Sequence, residues 1–275
     1  PWVAGSPGDR ESGGLMPGDN PRSRGKKAAR CSVYGGCVRI LLLGGTADSR
    51  HIADELTARG HEVLVSMAGR TAAARASAAR VGGFGGPEGL AAHLTEEHTG
   101  AVVDATHPFA DRMHHNAAAG CAAAKVPLIR FERPGWRTHR FAEEWVWVGS
   151  HAAAAGAAAG HPGTKLLTVG RQPLSHYLEL HPVVARIAEA DATTYPPDWQ
   201  ILEARGPFGL DDELDLLSST NASVLVTKDS GGDSTAAKLD AAHQLQIPVV
   251  MVARPAPPAG VVTATSIAEV LAALG

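Results

Sequence analysis

From residue 39 onward, short apolar runs alternate with amphipathic stretches. The first run, Ile40-Leu41-Leu42-Leu43, has no polar interruption and is too short for a helix, which predicts a fully buried strand. It breaks at Gly44-Gly45. The amphipathic stretch 47–59 then predicts a helix, with Thr46 as its cap. Further strands are predicted over residues 61–67, 101–105, 127–131, 164–169, 183–187, 223–227 and 248–252. Helices are predicted over 87–98, 110–125, 151–159, 173–180, 210–220, 234–245 and 266–274. Pro87 and Glu88 suit a first helical turn, and Pro127 ends the helix before it. Strands alternating with helices predict α/β architecture with mostly parallel, doubly wound sheets.

The alternation breaks at residues 134–138 and then resumes. That break predicts two Rossmann-like domains with a cleft between them, 38–134 and 135–275. No internal repeat is visible. Residues 1–37 differ from the rest: they are rich in Gly, Pro, Ser and Arg and show no periodicity, which predicts a disordered, dispensable leader. It lacks the apolar core of a secretory signal. Six Lys/Arg face three acids there, against a net charge of −3 for the whole chain. A basic tail on an acidic body is one way to touch nucleic acid, but the composition reads first as a leader, and no nucleic-acid partner is expected.

Apolar residues make up 44% of the 275, enough for a substantial core. No apolar run approaches the roughly 18 residues of a membrane span, so no membrane partner is expected. Cys31, Cys37 and Cys121 form no C-x-x-C pair, the usage of a reducing cytoplasm rather than a disulfide framework.

In doubly wound sheets, ligands bind at the carboxyl ends of the strands. The strand–glycine–helix opening at Gly44-Gly45-Thr46 suits a pyrophosphate: glycine lets backbone approach, and the helix N-terminus presents free amides. Alone it is weak, because the full G-x-G-x-x-G spacing is missing. After the second strand come Ser66-Met67-Ala68-Gly69-Arg70-Thr71. An acid there would accept from the ribose of NAD. Ser66 and Arg70 stand there instead, and an arginine suits the 2′-phosphate of NADP. Gly82-Gly83-Phe84-Gly85-Gly86 reads as a wall of the cofactor site, with Phe84 either stacking on a ring or anchoring the loop. Asp104-Ala105-Thr106-His107-Pro108-Phe109-Ala110 puts Thr106 and His107 at a strand end. His107 can donate to a carboxamide, a phosphate or a carboxylate there, or simply cap the next helix. His114 and His115 are adjacent and point apart, and His93 and His98 are five apart, so no metal site is expected.

The second half puts cations at its strand ends: Arg171, Arg205, Lys228 and Arg254, with Arg130 and Arg133 on the joining segment. Lys228 precedes Ser230-Gly231-Gly232, whose amides can also receive an anion. Cations gathered at the presumed cleft of an acidic body point to a substrate with several carboxylates.

In this order, Gly44-Gly45-Thr46-Ala47-Asp48-Ser49-Arg50, Ser66 to Thr71, Gly82 to Gly86, Asp104 to Ala110, Arg171, Arg205-Gly206-Pro207-Phe208 and Thr227 to Gly232 resemble the precorrin-6A reductases of cobalamin biosynthesis, over residues 38–275. Asp48 departs from the pattern, where a glutamate is usual. The resemblance implies an NADPH-dependent oxidoreductase acting on a tetrapyrrole. A hydride passes to one carbon of precorrin-6A and a proton to its neighbour, giving precorrin-6B; some relatives act on the cobalt-bearing equivalent. With the strand-end placement, the expected cofactor-binding residues are Gly44, Gly45, Thr46, Arg50, Ser66, Gly69, Arg70, Gly82, Gly83, Gly85, Thr106 and His107. The expected substrate-binding residues are Arg171, Arg205, Lys228, Ser230, Gly231, Gly232 and Arg254. His107 and Lys228 are the candidate catalytic residues, with water competing as proton source. A cytoplasmic enzyme in transient contact with neighbouring pathway enzymes is expected. The alternatives are another NADP-linked reductase and a non-catalytic NADP(H) sensor. The former should carry a Tyr-x-x-x-Lys pair, and Tyr177 is followed by His181 instead.

Overall fold

The computed structural model describes residues 36–68 and 80–275. The expected leader, up to residue 35, and the candidate residues Gly69 and Arg70 lie outside the described residues. The strands are β1 (Arg39–Gly44), β2 (Glu62–Met67), β3 (Arg80–Val81), β4 (Ala101–Asp104), β5 (Leu128–Phe131), β6 (Val146–Val148), β7 (Thr164–Leu167), β8 (Val183–Ile187), β9 (Trp199–Glu203), β10 (Ala222–Lys228), β11 (Val249–Val252) and β12 (Val262–Ala264). The helices are α1 (Ala47–Ala58), α2 (Pro87–Glu96), α3 (Asp111–Ala124), α4 (His151–Ala159), α5 (Leu210–Ser219), α6 (Ala237–Gln244) and α7 (Ile267–Leu274). The expected helix at 173–180 is a 3-10 segment, Gln172–Tyr177. Its buried residues Leu174 and Tyr177 are three apart, which aligns them on one face at three residues per turn.

Two six-stranded sheets form, in the orders β12-β5-β4-β1-β2-β3 and β6-β11-β10-β7-β8-β9. Every strand pairing is parallel. The two orders are the same winding. Leaving aside the edge strands β6 and β12, in each sheet the chain starts at a central strand (β1 or β7), runs out one way, and returns to the other side (β4 or β10). The point of reversal is where such sheets bind ligands.

Each sheet takes its sixth strand from across the chain. The segment after β5 supplies β6 to the second sheet, and the segment after β11 supplies β12 to the first. The expectation that residues 135–275 form the second unit therefore differs at its end. Strand β12 pairs with β5, and Val270 and Leu271 of α7 pack with Ile40, Leu42 and Ile129 of the first sheet.

Alternation within each central strand feeds both faces. Leu41, Leu43 and Val102 meet Leu90 and Leu94 of α2 and Ala117 of α3. Ile40, Leu42 and Val103 meet Ile52 and Leu56 of α1. In the second sheet, Val224, Val226 and Val250 face Ala154 and Ala158 of α4, while Leu225 and Met251 face Leu217 and Leu239. Leu41 is 1% exposed; truncating such a side chain to alanine costs about 2–5 kcal/mol. Cys121 is a free, buried thiol. Cys37 is disulfide-bonded, where the cysteine spacing had suggested reduced thiols.

Candidate functional site

The first switch point lies between β1 and β4. Gly45 has φ +131°, which only glycine adopts without strain, and the space where a Cβ would project is open. Ser49 holds the turn. Its Oγ accepts from the amides of Gly45 (3.1 Å) and Thr46 (3.2 Å), while its own amide donates to Thr46 Oγ1 (3.1 Å). Thr46 Oγ1 donates to the carbonyl of Ala105 (3.1 Å), fixing the β1 turn to the loop after β4. Thr46 thus caps α1 as expected. An open glycine turn at a capped helix start fits the pyrophosphate of a dinucleotide.

Asp48, in the first turn of α1, is ion-paired with Arg133 Nη1 at 2.9 Å. Arg133 Nε also donates to the carbonyl of Ser230 (3.0 Å), so one side chain joins the start of α1 to the loop after β10. Arg50 points outward and is exposed.

After β4, Asp104 is 1% exposed. Its Oδ1 accepts from the amide (3.1 Å) and hydroxyl (2.7 Å) of Thr106, and its Oδ2 lies 2.7 Å from His114 Nδ1. Burial alone would raise its pKa; the hydrogen bonds from His114 and Thr106 outweigh that and hold it below the usual range. Thr106 is thereby locked in place. His107 Nδ1 accepts from the amide of Phe109 (3.1 Å). Burial, then the charges of Lys228, Arg133 and Arg254, push His107 down to about 2. It is a neutral imidazole whose remaining proton sits on Nε2, a donor at the switch point. The capping role and the donor role coexist on its two nitrogens.

At the far end of this sheet, Arg80 Nη1 donates to the carbonyl of Gly82 (2.9 Å) and approaches Ser66 Oγ (3.4 Å), and Nη2 donates to Gly83 (2.9 Å). Its guanidinium lies 3.7 Å over the Phe84 ring, and Phe84 packs on the cluster of Leu41 and Leu90. Phe84 is therefore the loop's anchor, and Gly82, Gly83 and Gly85 stand in open space beside the end of β2. Arg80 was missed by sequence reasoning; its signal was a basic residue just before a glycine run.

The second switch point brings Lys228 against the first sheet's loop. Lys228 Nζ lies 5.2 Å from the ring centroid of Phe109, two residues beyond His107, a cation–π contact. Phe109 also neighbours His151 (6.3 Å between centroids), whose Nδ1 is 2.9 Å from the hydroxyl of Tyr177. Burial, then Lys228 and His176, push His151 down to about 4. His151, His176 and Tyr177 carry no sequence motif, and only the fold reveals them.

Two of the other expected substrate ligands, Arg171 and Arg254, are engaged inside the protein. Arg171 pairs with Asp191 (3.2 Å) and the carbonyl of Glu189. Arg254 bonds to Glu132 Oε1 (3.1 Å) and to the carbonyls of Asp229 and Arg133. Arg205 is exposed after β9. Gly231 and Gly232, with φ +66° and +77°, are packed against Pro134 and Arg133, and a 3-10 turn, Asp233–Thr235, separates them from α6. The loop from Ser230 to Gly232 therefore clasps the joining segment, which differs from the expected open helix start. Among the described residues, no group of three His, Cys, Asp or Glu side chains could hold a metal ion. No helix among them is long and apolar enough to cross a membrane.

Residues 39–275 match the model of the family described as Precorrin-6x reductase CbiJ/CobK. The chain is 40% identical over 233 residues to the precorrin-6A reductase of Rhodobacter capsulatus, covering 83% of this chain and 92% of that one. It is likewise 40% identical over 248 residues to that of Rhodococcus erythropolis, covering 86% and 98%. The cobalt-precorrin-6A reductase of Priestia megaterium is more distant, 31% identical over 78% of this chain and 90% of its own. Among solved structures, a CobK precorrin-6A reductase superposes with a TM-score of 0.78 and 36% identity, covering 86% of this chain and 96% of its own. With the motif order, the twin doubly wound sheets and this similarity all agreeing, the chain belongs to the precorrin-6x reductase family.

Proposed function

We propose that this protein reduces precorrin-6A to precorrin-6B in cobalamin biosynthesis, using NADPH. One observation carries the reading beyond family membership: Lys228 of the second sheet stands over the Phe109 ring, beside the neutral His107 of the first sheet's switch point. A dinucleotide site and a cation for an acidic substrate thus face the same loop.

When bound, the cofactor supplies the hydride. Gly44, Gly45 and Thr46 form the wall against its phosphates, with Thr106 and His107 beside them. Ser66, the Gly82-Gly83 turn and Arg80 line the adenosine end, and Gly69 and Arg70 follow Ser66 in sequence. His107 stays neutral and donates from Nε2, which orients an amide or carboxylate without adding charge. Lys228 attracts a substrate carboxylate, and its ammonium is a proton source for the carbon next to the one reduced, in competition with water. Family membership supports a cytoplasmic biosynthetic setting.

The test is incubation of the purified protein with precorrin-6A and either NADPH or NADH, following nicotinamide absorbance. Loss of NADPH absorbance matched by precorrin-6B is expected, with NADH much slower. No turnover with either cofactor would overturn the activity. Equal rates would overturn the cofactor preference alone.

A further inference from the structure

Beyond Lys228 lies a cavity of about 410 Å³ that the proposed chemistry leaves without a role. It opens at the carboxyl ends of β10 and β11, between the joining segment and the strand-end residues Asp229, Ala253 and Arg254. Arg137 and Thr138 form its outer wall.

Arg137 is the unusual member. Its guanidinium lies 3.7 Å over the Trp147 ring. That ring is itself fixed, because Trp147 Nε1 donates to the carbonyl of Ala142 (2.9 Å). The turn carrying Arg137 is pinned too: the amide of Trp136, 5% exposed, donates to Asp229 Oδ1 (2.8 Å). Stacking covers the face of a guanidinium and leaves its in-plane N–H groups free, the edge that binds a carboxylate in two-point fashion. Among the described residues, Arg137 has no carboxylate partner.

The charge of the wall favours an anion. Asp229 is the one acid lining it, and Asp229 is already engaged: Oδ1 takes the Trp136 amide, and Oδ2 faces Arg254 Nε at 3.5 Å. Arg137 and Arg254 leave a net positive wall. A rigidly held, unpaired arginine beside a cavity costs little ordering on binding.

We propose that this cavity is a subsite for a carboxylate-bearing side arm of the tetrapyrrole substrate, with Arg137 as its reader. The proposal rests on the substrate class argued above. A macrocycle against Lys228 would extend one acidic arm past Asp229, the next residue in the chain, into the cavity.

The test pairs turnover with binding that needs no turnover. Arg137→Gln should raise KM for precorrin-6A about tenfold or more, the effect of one lost charge-assisted contact. Its kcat and its Kd for NADPH should stay within about twofold, the latter also showing that the fold is intact. Arg137→Lys, which keeps charge but loses the planar fork, should fall between. Separately, uroporphyrin, a tetrapyrrole with acetate and propionate arms, should quench tryptophan fluorescence on binding, and Arg137→Gln should weaken that binding to a similar degree. Unchanged KM in Arg137→Gln, or uroporphyrin binding that is absent or equal in both proteins, overturns the subsite. Failure of the parent to turn over precorrin-6A while Arg137-dependent uroporphyrin binding persists would overturn the activity and leave the subsite standing.

Discussion

Arg133→Ala should weaken NADPH binding although Arg133 is not a residue of the glycine turn. The arginine neutralises Asp48 at 2.9 Å, with the two side chains 17% and 30% exposed, and also donates to Ser230. Hydrogen bonds with one charged partner are worth roughly 1.5–3 kcal/mol each. Losing both should cost about 3–5 kcal/mol, since the two share one side chain and do not add fully. For a unit running from Cys37 to Gly275, that is a fall in Tm of roughly 6–20 °C. The functional effect is separable. Asp48 sits in the first turn of α1, where a helix favours an anion, and Arg133 is its only ion-pair partner among the described residues. Without Arg133, the bare carboxylate competes with the cofactor's phosphates for the same helix end. A charge there is worth about 1–2 kcal/mol, so Kd for NADPH should rise about 5- to 30-fold. Asp48→Asn removes the competitor. The double variant should therefore bind NADPH within about threefold of Asp48→Asn alone, while its Tm stays low because the Ser230 contact is still missing. Nicotinamide fluorescence gives the Kd values and thermal unfolding gives Tm. A double variant that binds NADPH as poorly as Arg133→Ala would refute the reasoning.

Arg70→Ala should reduce affinity for NADPH but not NADH, whereas Arg80→Ala, by freeing the carbonyls of Gly82 and Gly83, should weaken both cofactors alike; Kd measurements with both cofactors separate a phosphate reader from a loop clamp. Lys228→Ala should raise KM for precorrin-6A about tenfold or more and leave Kd for NADPH within about twofold, and the reverse pattern would assign Lys228 to the cofactor. Asp104→Asn should cost about 1.5–3 kcal/mol by removing the carboxylate's buried hydrogen bond with His114. The native Asp104 pKa lies below its unfolded value of 3.8, so its contribution is complete above about pH 4 and is lost as pH falls toward the native value. Urea midpoints between pH 2.5 and 6 should therefore drop on the acid side more steeply for the parent than for Asp104→Asn, and parallel curves would contradict this.

What could be read from the chain was local. Strands β1, β4, β7, β10 and β11 are buried on both faces and appear as unbroken apolar runs. The glycine turn after β1 and the donors after β4 sit within a few residues of the strands that present them. The edge strands β6, β9 and β12 were not legible. They are short and half-solvated, with Val262 59% exposed, and they exist because a neighbour offers a free edge. The exchange of β12 into the first sheet could not be read, since nothing in Val262-Thr263-Ala264 specifies β5 as partner. The roles of the arginines were hidden for another reason. An arginine at a strand end has the same sequence signature whether it meets a ligand or a carboxylate from far along the chain. Arg254 meets Glu132, 122 positions away.

That hidden pairing explains why the cations gather where they do. Because each sheet borrows its sixth strand, the chain crosses between sheets twice, after β5 and after β11. Glu132 and Arg133 lie on the first crossing, just after Arg130 of β5, and Arg254 lies on the second. Glu132 is shared between Arg130 (3.2 Å) and Arg254 (3.1 Å), Arg254 reaches Asp229, and Arg133 reaches Asp48. Charges of opposite sign alternate through the crossings, mostly out of water, where removing one partner is far costlier than at a surface. The crossings are thereby held to the loops of both switch points, which fixes His107 and Lys228 against the same phenylalanine. Arg130 is 2% exposed, yet among the described residues its Nε and Nη1, and Nη2 of Arg254, have no hydrogen-bond partner, so the described residues do not fully satisfy even this network. Cations clustered at a strand end are therefore weaker evidence of a substrate site than a cation with its donors still unclaimed. By that criterion, among the described residues, Arg137 outranks Arg171 as a reader of the substrate's carboxylates, and Arg254 offers only its Nη2.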